Sequence, residues 1–193
     1  MILRLKHDEI NFKGVDLSKY DNSWYRPGPA WKRILWYWIN AVVFNSSFFP
    51  FYKLKVFLLK IFGAKTGKNI FIKPYVNIKY PWLLEIGNNV WIGERVWIDN
   101  LAKITIGNNV CLSQGCLLLT GNHDYTKSSF DLIVKNIILQ DGVWIGGQAT
   151  VCGGVICKTH SVLSVGSVAT ADLESMTIYQ GNPAIKVKQR KVD

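Results

Sequence analysis

The chain has 193 residues, 49% of them apolar, so a folded protein with a sizeable core is expected and a wholly disordered one is excluded. Its 23 lysines and arginines against 13 Asp and Glu give a formal net charge of +10, which suits acidic lipid or a phosphate-rich cofactor, or serves solubility alone. No nucleic-acid-binding motif accompanies this charge, so nucleic acid is not expected as a partner.

The N-terminus and the cysteines both indicate a cytoplasmic protein. Residues 1–14, MILRLKHDEINFKG, are polar and charged where a secretory signal would be apolar. Two C-x4-C spacings match no common zinc module and predict small buried thiols at Cys111, Cys116, Cys152 and Cys157.

Residues 20–63 are dense in aromatic side chains, and their apolar spacing predicts two helices with a break at Pro50. The first apolar run, about a dozen residues, is too short to span a bilayer. The helices either pack on the rest of the protein or lie in a membrane interface with their lysines and arginines near headgroups. The stripes at helical spacing are Leu35, Trp38, Ile39 and Val42, followed by Leu54, Phe57, Leu58 and Ile61.

From residue 70 the chain repeats in units of six, such as IGNNVW at 86–91 and IGERVW at 92–97, and about ten units agree. Ile, Leu or Val usually leads each unit, a small or β-branched residue often follows four positions later, and Gly, Asn or Asp commonly fill the places between. This period predicts a parallel β-helix whose lead and fifth residues point inward while Gly and Asn form the turns.

The repeat stops at LLLTGNHDYTKSSFDLIV, residues 117–134, which holds His123, one of only three histidines. Counting coils places Leu118 one turn above Ile98, so the excursion projects from the corner that follows Ile98. A long excursion from a compact repeat domain usually carries function. On the residues alone, His123 is more simply a surface-loop histidine.

Two stretches resemble the hexapeptide-repeat acyltransferases: YPWLLEIGNNVWIGERVWIDNLAKITIGNNVCLSQGCLLLTGNHDYTKSSFDLIV at 80–134 and GNPAIKVK at 181–188. Both are similar to the branch that acetylates sugars in colanic-acid-type exopolysaccharide synthesis, and the resemblance covers residues 31–190. It implies a mainly β fold: a left-handed parallel β-helix with an N-terminal helical segment and a protruding active-site loop. It also implies acetyl-CoA as co-substrate, no metal, and a homotrimer with its active sites between subunits.

By the same resemblance, His123 is the general base that removes the proton from a sugar hydroxyl as this hydroxyl attacks the acetyl thioester directly. Asp99, Asn100 and Asp124 are candidates to orient the imidazole or to bind the acceptor; coil register supports the first two and sequence adjacency the third. Asx residues at β-helix corners are ordinarily turn formers. Tyr125 either stacks on a sugar ring or anchors the loop.

The CoA contacts of the family carry over to four positions in the late coils and the C-terminus. Gly147 matches the position whose backbone N–H meets the thioester end, where it would also stabilise an oxyanion. Val165 matches a position along the pantetheine arm, Thr170 one further towards the nucleotide, and Lys188 one near its phosphates. Members often have a lysine where Ala171 stands here, so one phosphate contact does not carry over.

An outward column of Trp91, Cys111 and Trp144, with Trp97 one face over, would be an exposed apolar patch on a monomer. Burial between the subunits of a homotrimer would remove this patch. The alternative is packing against the helices of residues 31–62.

The predicted regions are an N-terminal arm with aromatic-rich helices at 1–65, the β-helix domain at 66–171 with its loop at 119–138, and a C-terminal basic tail at 172–193. The expected location is the cytoplasm, extending to the inner face of the membrane if residues 20–63 associate peripherally with lipid.

The predicted function is acetyl-CoA-dependent O-acetylation of a sugar hydroxyl in exopolysaccharide or capsule biosynthesis. N-acetylation of an amino sugar or another small acceptor on the same fold is the close alternative, and a non-catalytic β-helix scaffold is the more distant one. A zinc hydratase with three histidine ligands is disfavoured because the coil region holds only His123 and His160.

Overall fold

The computed structural model describes residues 14–192, so the first part of the predicted arm lies outside the described residues. The described chain forms two compact units. The larger contains 27–122 and 134–192, and the smaller contains 14–26 and 123–133. Within 14–192, no helix is both long enough and apolar enough to cross a bilayer.

The larger unit starts with helix α1, Ala30–Ile39, which runs on into a π-helical turn, Asn40–Phe44, and is followed by helix α2, Tyr52–Ile61. A 3-10 turn, Pro81–Leu83, lies between the first two coils, and another, Leu17–Lys19, belongs to the smaller unit.

Short strands then build three sheets, and each coil adds one strand to each of them. The first sheet contains β1 Lys65–Thr66, β4 Leu84–Ile86, β7 Ile104–Ile106, β12 Ile137–Leu139 and β15 Ile156–Cys157. The second contains β2 Phe71–Ile72, β5 Trp91–Ile92, β8 Cys111–Leu112, β13 Trp144–Ile145, β16 Val162–Leu163, β18 Thr177–Gly181 and β19 Ala184–Gln189. The third contains β3 Asn77–Ile78, β6 Trp97–Asp99, β9 Leu117–Leu119, β14 Thr150–Cys152 and β17 Val168–Ala169.

Apart from β19, all strands of these sheets pair in parallel, and β10 Gly121–His123 with β11 Leu132–Val134 forms a separate two-stranded sheet. The structure is a parallel β-solenoid of about six turns, which confirms the predicted β-helix.

The core is the stack of lead and fifth residues that the repeat predicts. Around one coil, Ile86, Val90, Ile92, Val96 and Ile98 are all buried. Their neighbours along the axis are the equivalent residues of the adjacent coils; Ile92, for example, lies between Ile72 and Leu112. Burial of each such side chain contributes about 1.5–3 kcal/mol to folding.

Asparagine ladders hold one corner of the solenoid. Asn69 donates from Nδ2 to Asn89 Oδ1 at 3.0 Å, and Asn89 donates in the same way to Asn109 at 3.2 Å. All three have left-handed backbones with φ between 54° and 56°, a conformation that asparagine tolerates better than most residues. The predicted turn role of asparagine is therefore confirmed.

A helix packs on the first coil of the solenoid, and an antiparallel strand ends its second sheet at the last coil. Helix α2 packs on β1 and β2, with Leu59 and Phe62 in the core. At the other end, β19 runs antiparallel to β18 and pairs Ile178 with Lys188. The predicted basic tail is thus an ordered hairpin over 177–189.

The two N-terminal helices pack on the coils through an aromatic cluster. Trp36, Phe44 and Phe62 are buried together. The centroid of the Trp36 ring lies 5.1 Å from that of Phe44 and 5.1 Å from that of Phe62. Trp36 also donates from Nε1 to the carbonyl oxygen of Ile78 at 2.7 Å. The stripe singled out by spacing alone is offset from this face, and its member Trp38 is 61% exposed.

Lys55 is a fully buried lysine of α2. Its Nζ donates to the carbonyl oxygen of Lys73 at 2.9 Å and lies 5.8 Å from the ring centroid of Phe44. Desolvation by this burial lowers the pKa of the Lys55 ammonium from 10.5 to about 8.

The lowered pKa of Lys55 predicts a pH-dependent stability. Between pH 8 and 10.5 the unfolded chain holds the Lys55 proton while the folded chain has released it. The unfolded state binds more protons in this window, so the free energy of unfolding gains a rising contribution with pH. Lys55→Met should remove that contribution, so the free energy of urea unfolding should rise less between pH 8 and pH 10.5 in the variant than in the wild type. An equal rise in both proteins would contradict the prediction.

Candidate active site

The excursion leaves the solenoid directly above Asp99. Register pairs Ile98 with Leu118 and Asp99 with Leu119, which confirms the coil count made from the sequence. Thr120 Oγ1 then donates to the Asp99 carbonyl oxygen at 2.7 Å and fixes the departure point. A Cβ at Gly121 would lie 2.5 Å from Leu101 Cδ1, so a larger residue here would have to displace the end of the Leu101 side chain.

His123 ends β10 and is held by three aromatic and backbone contacts of the smaller unit. Its Nδ1 lies 2.9 Å from the carbonyl oxygen of Phe130, and its ring stacks on that of Phe130 at 4.4 Å with an interplanar angle of 8°. The ring of Tyr20 lies 5.6 Å away, centroid to centroid. The half-buried imidazole is thus fixed in position and orientation.

The Phe130 contact decides the tautomer of His123. A carbonyl oxygen can only accept a hydrogen bond, so Nδ1 carries the proton and the neutral ring has its lone pair on Nε2. Phe130 itself has a left-handed backbone with φ 49°, unusual for a bulky residue and costing on the order of 1–3 kcal/mol. A strained residue presents the carbonyl that orients the only histidine of the loop.

Asp124 and Tyr125 follow His123 on an exposed turn. Asp124 Oδ1 accepts from the hydroxyl and backbone N–H of Thr126, and these hydrogen bonds, the hydroxyl one foremost, hold the pKa of the carboxyl below its usual range. Lys127 and Asp131 close the turn with an ion pair at 2.9 Å. Asp124 therefore acts as a turn former, and the side chain of Tyr125 projects into solvent.

Asp99 and Asn100 belong to the larger unit and differ in what they bind. Asp99 is 7% exposed and pairs with Lys79 Nζ at 3.0 Å, a partner one coil earlier that the sequence analysis missed. Asn100 is fully buried, and its amide both donates to the carbonyl and accepts from the N–H of Tyr80. Asn100 thus bridges two coils, whereas the Asp99 carboxylate carries a charge pair.

A cavity of about 560 Å³ opens beside that charge pair, between α1 and the third sheet. Its walls combine aromatic faces with charged groups, among them Arg33, Tyr37, Lys79, Tyr80, Trp97 and Asp99. Such a mixture of flat apolar surface and a few convergent polar groups is typical of small-molecule sites. No sequence pattern marks this cavity, because the helix and the sheet that form its walls meet only in the folded chain.

Gly147 and Val165, predicted near CoA, lie together on successive coils. The Gly147 carbonyl oxygen accepts from Gly166 N–H at 2.9 Å, and a Cβ at Gly147 would lie 3.9 Å from Val165 Cγ2. Val165 is 72% exposed. Thr170 is exposed after β17, and Lys188 is exposed on β19, each on a separate element.

The outward column of the second sheet is exposed on the described chain. Register stacks Trp91, Cys111 and Trp144 directly, and the N-terminal helices leave Trp91 and Trp144 accessible. Trp144 Nε1 donates to Ser113 Oγ at 2.9 Å. Trp97, one face over, lines the cavity instead.

All four cysteines are thiols. Burial raises the pKa of both Cys116 and Cys157 to about 12, which makes these two unreactive core residues. Across 14–192, no three or more His, Cys, Asp or Glu side chains are grouped as a metal site.

Comparison with known proteins gives close relatives. No protein-family model matches the chain. WcaF of Escherichia coli (strain K12), assigned as a colanic acid biosynthesis acetyltransferase, is 35% identical over 166 residues, 86% of this chain and 91% of WcaF. Galactoside O-acetyltransferase of that strain is 27% identical over 135 residues, 68% of this chain and 66% of that protein. A hexapeptide-repeat acetyltransferase of Vibrio cholerae, solved with acetyl coenzyme A, matches with TM-score 0.75 and 25% identity, covering 83% of this chain and 88% of that one.

A parallel solenoid of hexapeptide repeats is also the fold of the acetyltransferase structures that the chain matches. At 35% identity to WcaF over 86% of its length, the chain belongs to the hexapeptide-repeat acetyltransferases. The family predicted from the repeat and from the Asn-His-Asp-Tyr run is confirmed.

Proposed function

We propose that the protein transfers the acetyl group of acetyl-CoA to a saccharide hydroxyl in exopolysaccharide biosynthesis, with His123 as general base. The observation that carries this proposal is the 2.9 Å contact between His123 Nδ1 and the Phe130 carbonyl oxygen. It leaves the lone pair on Nε2, the state that a base requires. The similarity to WcaF and the acetyl-CoA complex of the Vibrio relative support the donor and the pathway.

In the proposed reaction, Nε2 takes the proton of the acceptor hydroxyl while its oxygen attacks the thioester carbonyl carbon. The carbonyl π bond opens to an oxyanion, for which the Gly147 N–H is the candidate donor. The oxyanion then reforms the carbonyl and expels the CoA thiolate, which takes the proton back from the imidazolium. The products are an acetyl ester and CoA, and no covalent enzyme intermediate is needed.

The cavity beside Asp99 is the proposed acceptor site. Tyr37, Tyr80 and Trp97 offer ring faces, and the carboxylate of Asp99 offers an acceptor for sugar hydroxyls next to its lysine partner. Asn100 supports this site by fixing the corner rather than by touching the sugar. Asp124 shapes the turn that follows His123, and the exposed side chain of Tyr125 is our candidate for contact with a large acceptor.

CoA is proposed to lie along the late coils, against Gly147 and Val165 first, then Thr170, with Lys188 at its phosphates. The adjacency of Gly147 and Val165 supports the first part of this path, and the exposure of the other two supports the rest. The exposed indoles of Trp91 and Trp144 support a homotrimer, in which a neighbouring subunit would cover them.

An acceptor panel tests the proposed reaction directly. The purified protein is given acetyl-CoA with neutral sugars, amino sugars and lipid-linked oligosaccharides, and thiol release and product mass are followed. We expect an ester product that mild alkali removes. A product that resists mild alkali would be an amide, which would mean that the nucleophile is an amine and not a hydroxyl. If no saccharide is acetylated, the proposed acceptor class is wrong.

Gly147→Ala tests the CoA path without disturbing the fold. A Cβ at Gly147 would meet Gln114 O at 3.4 Å, which is ordinary contact, whereas one at Gly146 would meet Val165 N at 2.6 Å. We expect Gly147→Ala to keep the midpoint of thermal unfolding and to raise KM for acetyl-CoA roughly tenfold, as one misplaced methyl does in a close-fitting site. Gly146→Ala should instead lower the midpoint. An unchanged KM for Gly147→Ala would remove this residue from the CoA site.

A further inference from the structure

Helices α1 and α2 each carry a second apolar stripe that no described residue covers. On α1 it consists of Trp31, Leu35 and Trp38, and on α2 of Leu54, Phe57 and Ile61. Spacings of three and four residues put the members of each stripe on one side of their helix. We name these six residues the exposed stripes. Because the opposite sides of both helices already pack on the coils, the exposed stripes contribute nothing to the core.

The chain around the exposed stripes is exclusively cationic. Between Asp21 and Glu85 there is no acidic residue, and ten lysines and arginines account for the formal net charge of +10, because the rest of the chain is balanced. Arg33, Lys53 and Lys60 of the two helices are exposed. Aromatic and aliphatic side chains beside solvent-facing cations are the composition of helices that lie in the interface of an anionic bilayer.

We infer that the exposed stripes dock the protein on an anionic membrane surface, with the helices lying in the headgroup region. The charge distinguishes this partner from a second copy of the chain. Two copies meeting through the two helices would bring the exposed cations Arg33, Lys53 and Lys60 of both chains together, which costs free energy, whereas anionic headgroups neutralise these cations. The inference is independent of the acetyl-transfer reaction.

Flotation of the full-length protein with vesicles tests the docking. Vesicles of phosphatidylcholine and phosphatidylglycerol in equal parts should carry the protein upward, and vesicles of phosphatidylcholine alone should carry much less. Raising the salt concentration should weaken the binding, since salt screens the cationic contribution. Equal binding to both vesicle types, or none to either, would overturn the proposal.

Matched variants distinguish vesicle binding through the exposed stripes from nonspecific binding by other exposed aromatic residues. Trp31→Ser with Trp38→Ser should lower partitioning about tenfold or more, the change produced by losing one well-buried apolar side chain. Phe57→Ser should act in the same direction for α2. Trp24→Ser is the control, because Trp24 is 54% exposed but lies outside both helices, and it should bind as the wild type does.

Sedimentation of the same variants distinguishes a membrane from a subunit contact. We expect the stripe variants to keep the wild-type mass in solution and to lose vesicle binding. Variants that dissociate the oligomer while floating as before would overturn the proposal in favour of a subunit interface.

Discussion

His123→Ala should lower kcat for acetyl transfer about 10²–10⁴-fold, the usual contribution of a positioned general base. The imidazole is oriented by the Phe130 carbonyl and stacked on the Phe130 ring, so its removal takes away the base without opening the core. KM for acetyl-CoA should change little, because the proposed CoA contacts lie on other elements. Initial rates of thiol release at saturating acetyl-CoA measure the effect.

The control for this loss is His160→Asn. His160 is the other described histidine of the coils and has φ 58°, a conformation that asparagine tolerates. This variant should retain wild-type turnover. Wild-type turnover by His123→Ala, with an unchanged thermal midpoint, would take His123 out of the mechanism and leave the solenoid without its proposed base.

Trp36→Ala should lower the free energy of unfolding by about 3–5 kcal/mol, the cost typical of deleting a buried indole. The side chain is 2% exposed, lies against Phe44 and Phe62, and donates to the Ile78 carbonyl oxygen. Its loss leaves a cavity between α1 and the coils and an unpaired buried carbonyl. Urea unfolding of the full-length wild type and variant measures the difference.

Trp38→Ala is the matched control, two residues further along the same helix. Its indole is 61% exposed, so the change should be within about 0.5 kcal/mol. Trp36→Phe should fall between the two, since it keeps a ring but loses the bond to Ile78. Equal losses from Trp36→Ala and Trp38→Ala would mean that the helix does not anchor on the coils through Trp36.

The solenoid could be predicted because a period of six is visible without knowing any contact. Each lead residue, such as Ile92 or Ile98, must point inward once the neighbouring turns are fixed by Gly and Asn. The same register located the excursion above Asp99. The same coil register also predicts the ion pair of Asp99 with Lys79, because Lys79 lies at the equivalent position one coil earlier.

The side of each helix that packs on the coils was harder to predict than the helix itself, because both helices are apolar on more than one side. Spacing favours Leu35 and Trp38 as strongly as Trp36, and only the shape of the first coils selects Trp36 as the anchor. A hydrophobic pattern identifies a helix, but it cannot rank two stripes of equal composition.

The surroundings of His123 could not be predicted for a different reason. Its orienting group is the backbone carbonyl of Phe130, which every residue type possesses, and Tyr20 reaches it from far away in the sequence. The Asn-His-Asp-Tyr run marks the histidine, but the positive φ of Phe130 arises only when the hairpin closes.

The reversed last strand has a consequence for how copies of the chain can associate. A stack of parallel strands would otherwise end in a row of unpaired amides, on which the first coil of another molecule could continue the ladder. Because β19 runs in the opposite direction and carries Lys186 and Lys188, that growth face is charged and wrongly oriented for propagation. At the opposite end α2 shields the first coil. Extension of the second sheet by another copy of the chain is thereby disfavoured at both of its ends.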